Sequence, residues 1–218
     1  MTDRTQDPHA GGSVRRYGPS PAQARLVMIA VHGRGASAHD ILGLAREVAP
    51  DDVACLAPEA ARNTWYPYSF LAPIPQNEPG ISSGLAVIAG LVDAVGAQGI
   101  PPERIVVLGF SQGACLTLEF AARHARKYGA IVALSGGLIG PAGTPRDYAG
   151  GMDGTPVFLG CSDVDAHIPV TRVRESAEVF RRMGAAVDER IYRGMGHTVN
   201  EDELEAVRAL LQDRGAGL

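Results

Sequence analysis

Cysteine is scarce in this sequence: there are three, Cys55, Cys115 and Cys161, an odd number with no C-x-x-C spacing. That pattern supplies neither a disulfide framework nor a cysteine-built metal site, and each thiol sits in an apolar strand or helix pattern, as small buried hydrophobes of a reducing compartment do. Long hydrophobic runs are also missing. The longest, Leu26–Val31 and residues 105–108, are strand-sized and far below the roughly 18 residues that mark a membrane-spanning helix. Basic charge is not in excess either: 20 Lys and Arg stand against 24 Asp and Glu, a formal net charge of −4, and the cations are scattered apart from short pairs such as Arg181-Arg182. Phosphate-backbone binding is thereby disfavoured, and no nucleic-acid partner is expected. Residues 1–12 are polar and lack the hydrophobic stretch of a secretion signal, so the expectation is a cytoplasmic protein with this segment disordered. No linker-like tract divides residues 13–218, which are expected to form a single domain able to bury about 70% of its unfolded surface without a metal or disulfide.

What is present is an alternation of β-type and helical patterns. Residues 25–31, 53–57, 105–108, 130–134, 157–159 and 187–192 read as strands, and 37–48, 84–98, 113–126, 170–183 and 201–212 as helices. Strands alternating with helices of this length require parallel pairing and crossover connections. The predicted class is therefore α/β, a mostly parallel twisted sheet with helices on both faces and its site at the carboxyl ends of the strands. Residues 14–17 are expected to add an outer antiparallel strand.

Residues 58–80 break this rhythm. They hold the only tryptophan and the cluster Trp65-Tyr66-Pro67-Tyr68-Ser69-Phe70. A loop of this length inside a compact domain is functional or disordered, and aromatic content argues against disorder. Trp65, Tyr66 and Phe70 are expected to wall a substrate pocket, and the same aromatics would suit a lid or a homodimer interface. Residues 136–154, rich in turn formers, are expected to be a mobile loop near the site.

The chemistry is announced by Gly109-Phe110-Ser111-Gln112-Gly113, placed between an apolar strand and a helix-forming stretch. This is a G-x-S-x-G nucleophile elbow in the context it requires, with glycines where side chains would strike the neighbouring strand and helix. A serine hydroxyl is a weak nucleophile until a base removes its proton, so a histidine and an acid should stand at later strand ends. Arg193-Gly194-Met195-Gly196-His197 follows the last strand, and Gly160-Cys161-Ser162-Asp163-Val164-Asp165-Ala166-His167-Ile168-Pro169 follows the one before it. His197 is the expected base, with His167 its rival. Of the remaining histidines, His9 falls in the polar segment, His39 and His124 on helices, and His32 is expected to order its own loop. The acid is Asp163 or Asp165, and the order Ser, Asp, His is the one nucleophile-elbow hydrolases use.

An oxyanion hole is also required. One backbone N–H should come from Gln112 and the other from His32-Gly33-Arg34-Gly35, with Arg34 the expected residue. Only its amide is needed, leaving the Arg34 side chain for substrate, an acidic neighbour or solvent. A competing reading takes Asp163, Asp165 and His167 as alternating metal ligands, but no further ligand motif accompanies them, and neither metal nor cofactor is expected. A hydrolase fold reduced to a binding module would commonly have lost a member of the triad; here all three are present.

With these motifs the chain resembles the carboxylesterase/phospholipase branch of the α/β-hydrolases, which includes acyl-protein thioesterases and lysophospholipases. The resemblance runs from about residue 25 to 212 and is carried by His32-Gly-Arg-Gly35, Gly109-Phe-Ser-Gln-Gly-Ala114, Leu134-Ser-Gly136, Asp165-Ala-His-Ile-Pro169 and Gly196-His197. It implies an α/β-hydrolase fold and a triad of Ser111, Asp165 and His197, since the family's acid precedes x-x-(Val/Ile)-Pro. It also implies hydrolysis of a small-molecule ester or thioester without a cofactor. Acyl-protein thioesterases carry a Ser-Trp-Phe/Tyr-Asp type segment where this chain has Asn63-Thr-Trp-Tyr-Pro-Tyr68, without the aspartate. The expectation is therefore an esterase for short to medium acyl chains, with thioesterase or lysophospholipase activity as the alternative.

Overall fold

The computed structural model describes residues 7–213. Seven strands form one sheet in the order β1 (Val14–Tyr17), β3 (Val53–Pro58), β2 (Leu26–Val31), β4 (Ile105–Phe110), β5 (Ala130–Leu134), β6 (Pro156–Ser162) and β7 (Ala186–Tyr192). All pairings are parallel except β1 with β3, the expected outer antiparallel strand.

Strand periodicity divides the core in two. Val27, Ile29 and Val31 of β2 join one apolar cluster, whereas Leu26, Met28 and Ala30 join the other, because successive side chains leave opposite faces of a strand. The first cluster is covered by α3 (Gly80–Gly96), α4 (Gln112–Arg123) and α5 (Val170–Arg182), and the second by α1 (Ala38–Val48) and α6 (Glu201–Asp213). Both faces of the central strands are thus buried, as their near-continuous apolar sequences require. Helix α1 starts where it does because Ser37 and Asp40 form a reciprocal cap, worth about 1 kcal/mol. Among the described residues no helix is long and apolar enough to cross a membrane.

Two segments depart from expectation. Residues 7–12 form a turn packed on the aromatic loop rather than a disordered tail, while residues 1–6 lie outside the described residues. The anchor is His9, only 3% exposed, whose Nε2–H donates to the Trp65 carbonyl at 2.8 Å while Nδ1 accepts from the Ala61 amide at 3.0 Å. Burial holds its pKa below the ordinary value, in keeping with a neutral ring satisfied at both nitrogens. The stretch 136–154 is likewise pinned. The buried Arg172 guanidinium donates to Leu138 O and Gly140 O at 2.8 and 2.6 Å, and Glu119 accepts from the Ile139 amide at 3.1 Å. Arg146 adds a bond to Ile139 O at 2.6 Å. Arg172 and Glu119, distant in sequence, thus satisfy carbonyls and an amide that local turn chemistry would leave to solvent.

Helix α3 begins at Gly80, four residues earlier than expected, preceded by a short helix α2 (Ile74–Asn77). The loop is consequently shorter and more structured than its composition indicates.

Candidate active site

Ser111 occupies the turn between β4 and α4 with φ 55° and ψ −119°, a left-handed backbone that costs a non-glycine residue about 1–3 kcal/mol. Its neighbours hold it there. The Ser111 amide donates to Leu134 O at 2.9 Å, and its carbonyl accepts from the Cys115 amide at 3.0 Å. A Cβ on Gly113 would overlap the carbonyls of Val31 and His32, and one on Gly109 would overlap the Gly113 carbonyl. Only glycine lets β2, β4 and α4 approach this closely.

Three strand ends then bring a hydrogen-bonded relay together. The Ser111 hydroxyl lies 2.8 Å from His197 Nε2, and His197 Nδ1 lies 2.7 Å from Asp165 Oδ2. Since a carboxylate only accepts, Nδ1 carries the imidazole proton and Nε2 is left to accept from the serine. The Asp165 side chain is fully covered. Burial opposes its ionisation, but the His197 bond and the His167 and Ile168 amides, at 2.8 and 3.0 Å from Oδ1, outweigh it and hold the carboxyl below the usual carboxylate range. Phe110 packs on the His197 ring with centroids 5.1 Å apart, and His167 meets it edge-on at 4.8 Å.

The relay opens into a cavity of about 330 Å³ lined by Arg34, residues 66–70, Ser111, Gln112, Cys115, His167, Ile168 and His197. Among the described residues the Arg34 amide has no backbone acceptor, and Gln112 is the first residue of α4, a position whose amide a helix leaves unpaired. His32 lies behind them. Burial lowers its pKa, and it is satisfied as a neutral ring, with Nδ1–H donating to Gly33 O at 2.7 Å and Nε2 accepting from the Ala60 amide at 3.1 Å.

This architecture has relatives. Residues 18–213 match the model of the phospholipase/carboxylesterase family. The chain belongs to that family. An acyl-protein thioesterase 1 of Gibberella zeae is 29% identical over 89% of this chain and 92% of its own length. One from Saccharomyces cerevisiae is 34% identical over 53% of this chain and about half of that relative, at 52%. Among solved structures, a phospholipase/carboxylesterase from Dyadobacter fermentans superposes with a TM-score of 0.89 at 43% identity, covering 93% of this chain and 97% of that one.

In this family member the structure brings Ser111, His197, Arg34, Gln112, Tyr66 and Phe70 to one cavity, with Asp165 covered behind His197. Trp65 is the exception among the expected pocket residues. Its indole is fully buried away from the cavity, with the His9 ring edge-on and the His32 ring tilted against it, both at 5.1 Å, and with Nε1–H donating to His32 O at 2.9 Å; it is a strut of the loop because its one polar side-chain atom is spent on the core. Asp163 faces away from His197 and instead accepts from the Gly194 amide at 2.8 Å, bracing the turn that carries the histidine. Arg34 also differs from expectation: its guanidinium donates to the carbonyls of Pro67 and Tyr68 at 2.7 and 2.5 Å and is not free. The cysteines are all free and buried as expected, and burial pushes the Cys115 thiol up to about 12. Residues that sequence reasoning passed over include Cys115 as pocket lining and Ile168, whose amide holds Asp165. The four-residue spacing from Ser111 already raises a reactive role for Cys115 against that of a buried hydrophobe, and the structure makes it a buried lining residue.

Proposed function

We propose that this protein is a serine hydrolase that cleaves carboxylic esters of short to medium acyl chain through an acyl-enzyme on Ser111. The observation that carries the reading is the unbroken relay from Ser111 through His197 to the covered Asp165, set beside two unengaged amides at the mouth of a cavity. In this reading His197 Nε2 takes the hydroxyl proton as Ser111 Oγ attacks the carbonyl carbon. The new oxyanion is received by the Arg34 and Gln112 amides, each such donor contributing about 3 kcal/mol. Asp165 fixes the tautomer and offsets the imidazolium charge. Collapse of the tetrahedral intermediate expels the alcohol, protonated by His197, and water activated by the same base releases the acid. Tyr66 and Phe70, with Pro67 and Tyr68, would form the acyl wall.

Thioesters are the second reading, favoured by relatives named acyl-protein thioesterase. Thiolate is a better leaving group than alkoxide, so the same machinery serves it without added residues. The test is a p-nitrophenyl ester series from acetate to palmitate on wild type and Ser111→Ala, with and without a chelator, alongside acyl-thioester substrates. Chelator-insensitive hydrolysis that peaks at butyrate to octanoate and falls by about 10⁶-fold in Ser111→Ala is expected. Hydrolysis that survives in Ser111→Ala, or its absence on every ester and thioester, would overturn the proposal.

A further inference from the structure

The two residues whose amides flank Ser111 also hold the pocket wall, through their side chains. The Gln112 carboxamide is buried, with Oε1 accepting from the Trp65 amide and Nε2 donating to Tyr66 O, both at 2.8 Å. Arg34 continues the series, donating to Pro67 O and Tyr68 O. Four consecutive residues of the loop, Trp65 and the wall residues Tyr66, Pro67 and Tyr68, are therefore bonded, one after another, to the two side chains. Further bonds tie the same loops: Gly35 N–H to Asn63 O at 2.7 Å, Asn63 Nδ2 to Ala36 O at 3.0 Å and Trp65 Nε1 to His32 O at 2.9 Å.

The chemistry of both side chains fits this use. Among the described residues Arg34 makes no ion pair, and its guanidinium meets only two carbonyls and, at 5.9 Å, the Tyr66 ring. A planar fork with fixed N–H directions can span two successive carbonyls, whereas a lysine ammonium cannot hold both in that geometry. Gln112 matches an N–H and a C=O of adjacent residues, so the wall fits in one register only. The anchoring groups and the oxyanion amides belong to the same residues, hence a shift of the wall moves the amides.

We propose that the side chains of Arg34 and Gln112 are positioning residues that lock residues 65–68 onto the oxyanion amides, so that acyl-chain recognition and transition-state stabilisation share one set of hydrogen bonds. The inference rests on the hydrolase reading above for its kinetic consequence, while its structural half does not.

Trp65, the only tryptophan, reports on the wall directly. In Arg34→Ala and Gln112→Glu, acrylamide quenching of its emission should rise about twofold. Hydrolysis of p-nitrophenyl butyrate should lose about 10-fold in kcat, because small misplacement of catalytic groups is costly, and the chain-length preference should flatten. Arg34→Lys should recover less than half of the loss. Melting temperatures close to wild type would separate this from general destabilisation. Wild-type quenching in both variants, or raised quenching with kcat and chain-length optimum unchanged, would overturn the lock. Should wild type cleave no ester, the hydrolase reading fails and the quenching comparison decides the lock alone.

Discussion

The elbow at residues 109–113 and the aromatic loop at 58–80 face one cavity but are fixed by different physics. At the elbow, sterics decide: Gly109 and Gly113 leave no room for a Cβ, and the strained Ser111 backbone is held by strand and helix on either side. In the loop, polar bonding decides, since Trp65, Tyr66, Pro67 and Tyr68 are held by side chains of Arg34 and Gln112 and by His9. A sterically fixed element carries its instructions locally. A loop held by distant partners does not, and this is the part of an esterase site free to vary with substrate while the chemistry stays constant.

The largest effect should come from the relay beside the elbow. Asp165→Asn should lower kcat by up to about 10⁴-fold, on the order of 5.5 kcal/mol, through the wrong histidine tautomer. Asp163→Asn, which loosens only the Gly194 brace, should cost less than about 10-fold in rate. Steady-state kinetics on one ester decide this, and a reversed ranking would assign the acid to Asp163.

Next in size is the elbow itself. Gly113→Ala forces β2 and α4 apart and should destabilise the fold by about 3 kcal/mol or more, lowering the melting temperature by roughly 6–12 °C. In contrast, Phe70→Ala on the wall should act on selectivity. Phe70 is 5% exposed and lines the cavity, so its truncation should move the optimum toward longer acyl chains and cut kcat/KM on butyrate about 10-fold. A Phe70→Ala enzyme with an unchanged chain-length profile would separate the wall from acyl recognition.

The contrast also sets what was legible in the sequence. The mostly parallel sheet, the helices on both faces and the three strand-end motifs follow from periodicity and from glycines that only one geometry explains, whereas the order of the strands comes from the structure. The choice of Asp165 over Asp163 did not follow from spacing. It depends on which carboxylate the turn aims at His197 and which at Gly194, and at sequence level it came from resemblance alone. Trp65 was read as pocket lining because aromatic composition does not reveal which ring spends its N–H on the core. The order of residues 7–12 and 136–154 was hidden for the same reason: His9, Glu119 and Arg172 find partners 20 to 56 residues away.

A last test falls on a group outside both regions. Glu203 in the first turn of α6 is fully buried. Its Oε2 accepts from the Asn200 amide at 2.9 Å, and among the described residues Oε1 has no partner. Burial pushes the carboxyl from 4.5 up to about 7 against the opposing Asn200 bond. Because the folded protein then holds a proton that the unfolded chain releases at lower pH, the stabilisation is full below pH 4.5 and is lost as pH rises through about 7. At about 1.4 kcal/mol per tenfold change in proton affinity, the loss is on the order of 3 kcal/mol. Glu203→Gln keeps the shape without the charge, so its urea-unfolding free energy should fall less between pH 5 and pH 8 than that of wild type. Equal slopes would mean that the folded protein leaves this carboxyl at its unfolded affinity, and that the packing of α6 near His197 does not depend on its proton.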